Sequence, residues 1–211
     1  MRTITTTVTV YSFDELSADA QEKAVANIQE KLSGASWDSH DIEDISATML
    51  YALAAAVRSP GWDTYGEGDF PGIDGVRLEG WDLEGGQSIN VAGTLTRENA
   101  PALPWCAGIG SVNLEAKRDH TYITVEDTEP DCTCTDDVWL SEHDAGCPFT
   151  APNPATAEQR DTLIEAVRDA LRTAWQAGRD ELEYKTGEEY ARQQADDMEF
   201  TEDGRFYGVQ I

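Results

Sequence analysis

Between residues 75 and 126 the chain carries no helical periodicity, only short alternating runs separated by turn residues. Apolar and polar positions alternate through 75–83 and again through 88–95, and Glu84-Gly85-Gly86 lies between them, which predicts a β-hairpin. Residues 101–106 form a connector. A second pair of strands is expected at 110–116 and 122–126, separated by Lys117-Arg118-Asp119-His120.

Helical patterns flank this block. Ser12 and Glu15 fit a capping box, with Ser17 a second possible N-cap, ahead of the apolar stripe Ala20, Ala24, Ile28 and Leu32; Gly34 stops that helix. A second helix is expected from about 38 to 58, with Ile42, Ile45, Met49, Leu53 and Val57 on one face. After the block, Thr156 and Gln159 form a capping box before Leu163, Ile164, Val167, Leu171, Trp175 and Leu182. Thr186 and Glu189 suggest another box, opening a shorter helix to about 198. At the ends, residues 3–11 alternate as a strand with one buried face, and 200–209 read as a closing hairpin around Asp203-Gly204. The order β-α-α-β-β-β-β-α-α-β predicts an α+β fold: an antiparallel sheet with helices packed on one face. Residues 1–129 and 155–211 form a single α+β domain in this reading, and 130–154 a small Cys/His-rich loop insertion.

The charge narrows the partners. There are 41 acidic and 15 basic residues, for a net charge of −26. Such a chain cannot release counterions from nucleic acid and is repelled by anionic lipid, so neither is expected as a direct partner. The acidity fits a surface presented to a basic protein, as in a DNA mimic. It also fits multivalent cation binding, or solubility in a salt-adapted proteome. Residues 1–6 lack the apolar stretch of a signal peptide and no run approaches a membrane span, so a cytoplasmic protein is expected.

One constellation could hold a metal. Cys132, Cys134, His143 and Cys147 supply three thiols and an imidazole within sixteen residues, a complete tetrahedral set for a structural zinc; a disulfide, free thiols, or no role at all are the alternatives. The same stretch is acidic: Glu126, Asp127, Glu129, Asp131, Asp136, Asp137, Glu142 and Asp144 occur with no lysine or arginine between them, as a partner-facing surface or a solvated loop. Cys106 reads as a small buried hydrophobe. Trp62, Tyr65, Phe70 and Trp81 crowd a glycine-rich region, either lining a pocket for a nucleotide-like ligand or forming a lid on the core. Phosphate-loop, dinucleotide, nucleophile-elbow and HExxH patterns are missing, so no catalytic residues are expected.

Three stretches carry a resemblance: Ile4-Thr5 with 8–17, then 78–83 with 93–96, and Glu199-Phe200-Thr201-Glu202-Asp203-Gly204-Arg205-Phe206-Tyr207. Together they resemble a family of acidic bacteriophage-encoded proteins without an established function, some of which carry an antitoxin-like label. The resemblance leaves out 132–147 and implies a viral origin but no reaction. The expectation is therefore a non-enzymatic phage accessory protein that binds a host defence or nucleic-acid-handling protein.

Overall fold

The computed structural model describes residues 7–34, 39–58, 72–83, 88–118, 120–128 and 155–207. They form helices α1 (Ala18–Gly34), α2 (Ser39–Val57), α3 (Ala157–Lys185) and α4 (Glu188–Ala195), with strands β1 (Val76–Asp82), β2 (Ser88–Thr96), β3 (Ile109–Lys117) and β4 (His120–Asp127). The strands make one antiparallel sheet in the order β1-β2-β3-β4, so the chain is an α+β protein. Contacts divide it into two units, one of residues 1–45 and 179–211, the other of residues 46–178.

In the first unit, the Ser12 N–H donates to Glu15 Oε2 at 2.9 Å, and the box closes a short 3-10 turn. The helix proper starts after Ser17, whose Oγ accepts from the Ala20 N–H at 3.3 Å. Ala20 and Ala24 of α1 are buried with Ala191 and Ala195 of α4. Alanine at i and i+4 has no bulk to hold two helix backbones apart. Phe13, Leu16, Val25, Ile28 and Phe200 complete this core. Gly204, at φ +79, closes the last turn against α1; a Cβ there would lie 2.2 Å from the Ala20 carbonyl oxygen.

The second unit is the sheet with residues 46–57 of α2 and 157–178 of α3. The register places Leu78, Trp81, Ile89, Val91, Leu95, Val112, Leu114, Ile123 and Val125 on one face, and Arg77, Thr94, Asn113, Glu115 and Tyr122 on the other. A bulge between Leu78 and Gly80 keeps Trp81 on the covered side. That face is buried with Met49, Leu53, Val57, Leu163, Val167 and Leu171, whereas Tyr122 is 53% exposed. Helices therefore cover one face of the sheet, as the alternation predicts. At the start of α3, Thr156 and Gln159 exchange hydrogen bonds of 2.9 and 3.2 Å, the expected capping box.

The closing hairpin around Asp203-Gly204 forms within the described residues: the Thr201 N–H donates to Arg205 O and the Tyr207 N–H to Glu199 O, each at 2.8 Å, with Phe200 and Phe206 bridged between them. Three expectations fail locally. Residues 7–10 are not a strand and Val8 is 44% exposed: among the described residues the backbone pairs only at Tyr11, which bridges Phe200. Thr186 does not cap α4; its hydroxyl donates back to Leu182 O at 3.0 Å, and Gly187 takes the N-cap position. Ile42 is exposed, although Ile45, Met49, Leu53 and Val57 of the same predicted stripe are buried.

Candidate binding surfaces

Of the acids expected to face a partner, Glu126 and Asp127 lie at the end of β4. Glu126 accepts from Ser111 Oγ at 3.2 Å. Asp127 pairs with the Arg160 guanidinium of α3, which also donates to Val125 O at 3.4 Å. Asp127 thus ties the sheet to a helix within the second unit. Glu129, Asp131, Asp136, Asp137, Glu142 and Asp144 lie outside the described residues, as do Cys132, Cys134, His143 and Cys147, and Trp62, Tyr65 and Phe70. Among the described residues no group of His, Cys, Asp and Glu is arranged to hold a metal. Trp81 is half-buried on the covered face of the sheet and its Nε1–H donates to Ser46 Oγ at 3.1 Å, so its indole is committed to α2. Cys106 is a partly exposed free thiol rather than a buried one.

Carboxylates gather instead on α3. Glu158, Asp161, Glu165 and Asp169 follow a 3-4-4 spacing, which puts them on one helix face. With Pro104, Thr162 and Ala166 they line a shallow groove of about 640 Å³. Arg168 pairs with Glu165, and Arg172 with Asp169 at 2.5 Å, but all four side chains are more than half exposed, and such pairs bind weakly. Glu158 and Asp161 have no cationic partner among the described residues. The spacing was readable in the sequence, but the opposing Pro104 was not.

A second groove, of about 610 Å³, opens on the uncovered face of the sheet. The β2–β3 ladder runs from Thr96↔Ser111 to Gly93↔Leu114 and goes no further. Gly93 has φ +141, and a Cβ there would sit 2.2 Å from the Gly75 carbonyl oxygen, so only glycine fits the bend. Beyond it β2 is held by β4 instead: Thr121 Oγ1 accepts from the Val91 N–H at 2.9 Å and donates to Ile89 O at 2.7 Å. The cleft between the parted strands is lined by Arg77, Glu79, Asn90, Thr94, Glu115 and Arg118, among others.

One buried charge stands apart from both grooves. Lys185, in the first unit, is 4% exposed, and its Nζ donates to Asp41 Oδ1 at 2.8 Å and Asp44 Oδ2 at 2.9 Å. Burial pulls its pKa down, but the hydrogen bonds to the two carboxylates more than reverse that, and the ammonium is held above the ordinary lysine value. A lysine held protonated is a tie, not a nucleophile or a base.

No helix among the described residues is long and apolar enough to cross a membrane. No family model, curated protein or solved structure matches the chain.

Proposed function

We propose that this chain is a non-enzymatic binding protein of bacteriophage origin that engages a basic host protein through its acidic surface, in the host cytoplasm. The partner in this reading is a defence or nucleic-acid-handling factor, inhibited because its cationic groove is occupied. The observation that carries the reading is the groove on α3. Its four carboxylates stand beside the apolar surface of Pro104 and Ala166. Lysine and arginine side chains match that arrangement, laying their aliphatic stems on apolar surface and delivering their charged heads to carboxylates. The net charge of −26 would speed the encounter at low ionic strength. The resemblance of both chain ends and the central strands to acidic phage proteins supports the viral origin.

The test is affinity capture from host lysate with the wild type and with Glu158→Gln, Asp161→Asn, Glu165→Gln and Asp169→Asn combined. The expected result is a basic protein retained at low salt, released by salt, competed by duplex DNA, and retained several-fold less by the neutralised variant. Failure to enrich any basic protein at low salt would sink the reading. Equal capture by the variant would remove α3 as the contact.

The second part of the proposal is that Cys132, Cys134, His143 and Cys147 hold a structural zinc, since four such ligands in a short polar stretch gain their fold from the metal. Metal analysis of purified protein should return about one zinc per chain, and Cys134→Ser should lose it; a content below about half an equivalent would count against the site.

A further inference from the structure

Most basic residues among the described ones are engaged. Arg160 and Lys185 hold carboxylates, Arg58 donates to Gly72 O, and Arg97 to Cys106 O. Arg118 differs. Its side chain is exposed and has no hydrogen-bond or ion-pair partner among the described residues, yet its backbone is fixed at φ +53, the one non-glycine residue among them with positive φ. It opens the two-residue connection between the paired Lys117 and His120. Hairpins of that length take Asn or Gly there because a side chain such as arginine strains the left-handed conformation. The strain is braced from across the cleft: Asn90 Nδ2 donates to the Arg118 carbonyl at 2.8 Å. Asn90 is itself retained at a cost, because its Oδ1 is closed off from solvent without a hydrogen-bond partner among the described residues. Two residues that each work against stability meet in one groove, beside the point where the β2–β3 ladder ends at Gly93. Such concentrations of local cost mark binding sites.

From this we infer that the groove between β2 and β3 binds a small phosphate monoester, with Arg118 and Arg77 on the phosphate. The lining sets the ligand class. A carboxylate is satisfied by one guanidinium fork, whereas a dianionic phosphate uses two. Glu79 and Glu115 line the same groove, Glu79 paired with Arg77 and Glu115 with Lys117 Nζ at 2.6 Å; their remaining lone pairs suit hydroxyl or amine donors on the rest of the ligand, as a sugar phosphate or a nucleotide supplies. Binding exchanges the contact of Arg77 with Glu79 for the phosphate. The volume of about 610 Å³ suits a ligand of this size. With a net charge of −26, non-specific attraction works against any anion, so binding must come from local geometry. This site is independent of the acidic groove on α3.

The test is calorimetric titration of the full chain with ribose 5-phosphate, AMP, inorganic phosphate and adenosine. Saturable binding of ribose 5-phosphate or AMP, at least tenfold tighter than adenosine and inorganic phosphate, is the expected result. Binding of both esters assigns recognition to the sugar phosphate, and binding of AMP alone assigns it to the base as well. Arg118→Asn separates function from fold, since asparagine suits the turn: its Tm should equal or exceed that of the wild type while ester binding falls at least tenfold, and Arg118→Lys should keep part of it. The proposal is overturned if neither ester saturates up to about 10 mM, if inorganic phosphate binds as tightly as the esters, or if Arg118→Asn binds them unchanged.

Discussion

Replacing Lys185 with methionine tests the electrostatic account of the first unit. Methionine keeps the length of the apolar stem, so the substitution removes charge while leaving little cavity. Two carboxylates lose the ammonium, and their exposure decides the cost. Asp44 is 64% exposed, and water replaces most of what it loses. Asp41 is 19% exposed; it keeps a further interaction, but little water reaches it to replace the charge-assisted hydrogen bond, which therefore sets most of the cost. A bond of that kind contributes about 1.5–3 kcal/mol. We expect Lys185→Met to cost about 2–3 kcal/mol, and Asp41→Asn in the same chain to recover roughly half by removing the charge that had been neutralised. Hydrogen exchange of α1 and α4 amides reads this unit directly, without assuming that both units unfold together. The pH dependence has a definite sign. The folded pKa is raised, so the contribution of Lys185 is complete below the unfolded lysine value of about 10.4 and declines as pH climbs above it toward the folded value. The protection lost on Lys185→Met should therefore be flat from neutral pH to about 9.5 and shrink in more alkaline solution. A cost below about 0.5 kcal/mol, or one that Asp41→Asn does not reduce, would refute the reasoning.

Gly204→Ala must place a Cβ where the Ala20 carbonyl oxygen lies 2.2 Å away, at φ +79. It should destabilise the first unit by about 2 kcal/mol or more, seen as lost amide protection in α1. Thr121→Val keeps the shape of the side chain but removes the hydroxyl that bridges the Val91 N–H and Ile89 O. Chemical denaturation followed by tryptophan fluorescence should show a loss of about 1–2 kcal/mol, and amides of 89–91 should exchange faster.

The central sheet and the long helices were legible because each depends on a periodicity that a single segment carries. Leu78, Val91, Val112 and Val125 alternate with polar residues, and the register of all four strands follows from keeping them on one side. The stretch before α1 departs from its alternation for the opposite reason. Residues 7–11 carry the right alternation, but a strand needs a partner along its length, and among the described residues only Tyr11 is paired, at one bridge to Phe200. Thr186 has the spacing of a cap, yet helix α3 ends right before it and offers the Leu182 carbonyl to its hydroxyl first. Of the candidate sites, the α3 acids left a helical spacing in the sequence. The cleft beside Arg118 left none. It lies where the β2–β3 ladder ends at Gly93 and Thr121 of β4 takes over the β2 backbone, and neither is visible from a residue's own surroundings in the chain.

The division of the molecule also bears on how it is made. The second unit is one continuous stretch, 46–178, whereas the first is assembled from 1–45 and 179–211. On a ribosome the sheet and its helices can form as soon as α3 emerges, while α1 waits for α4 to present Ala191 and Ala195. Joining the two segments across an unfolded intervening chain of that length would cost on the order of 4 kcal/mol in loop closure. Much of that entropy has already been given up once the middle of the chain has folded. Synthesis from the amino end therefore makes the first unit the last to assemble, and truncation between residues 178 and 191 should leave α1 without its partner while sparing the sheet.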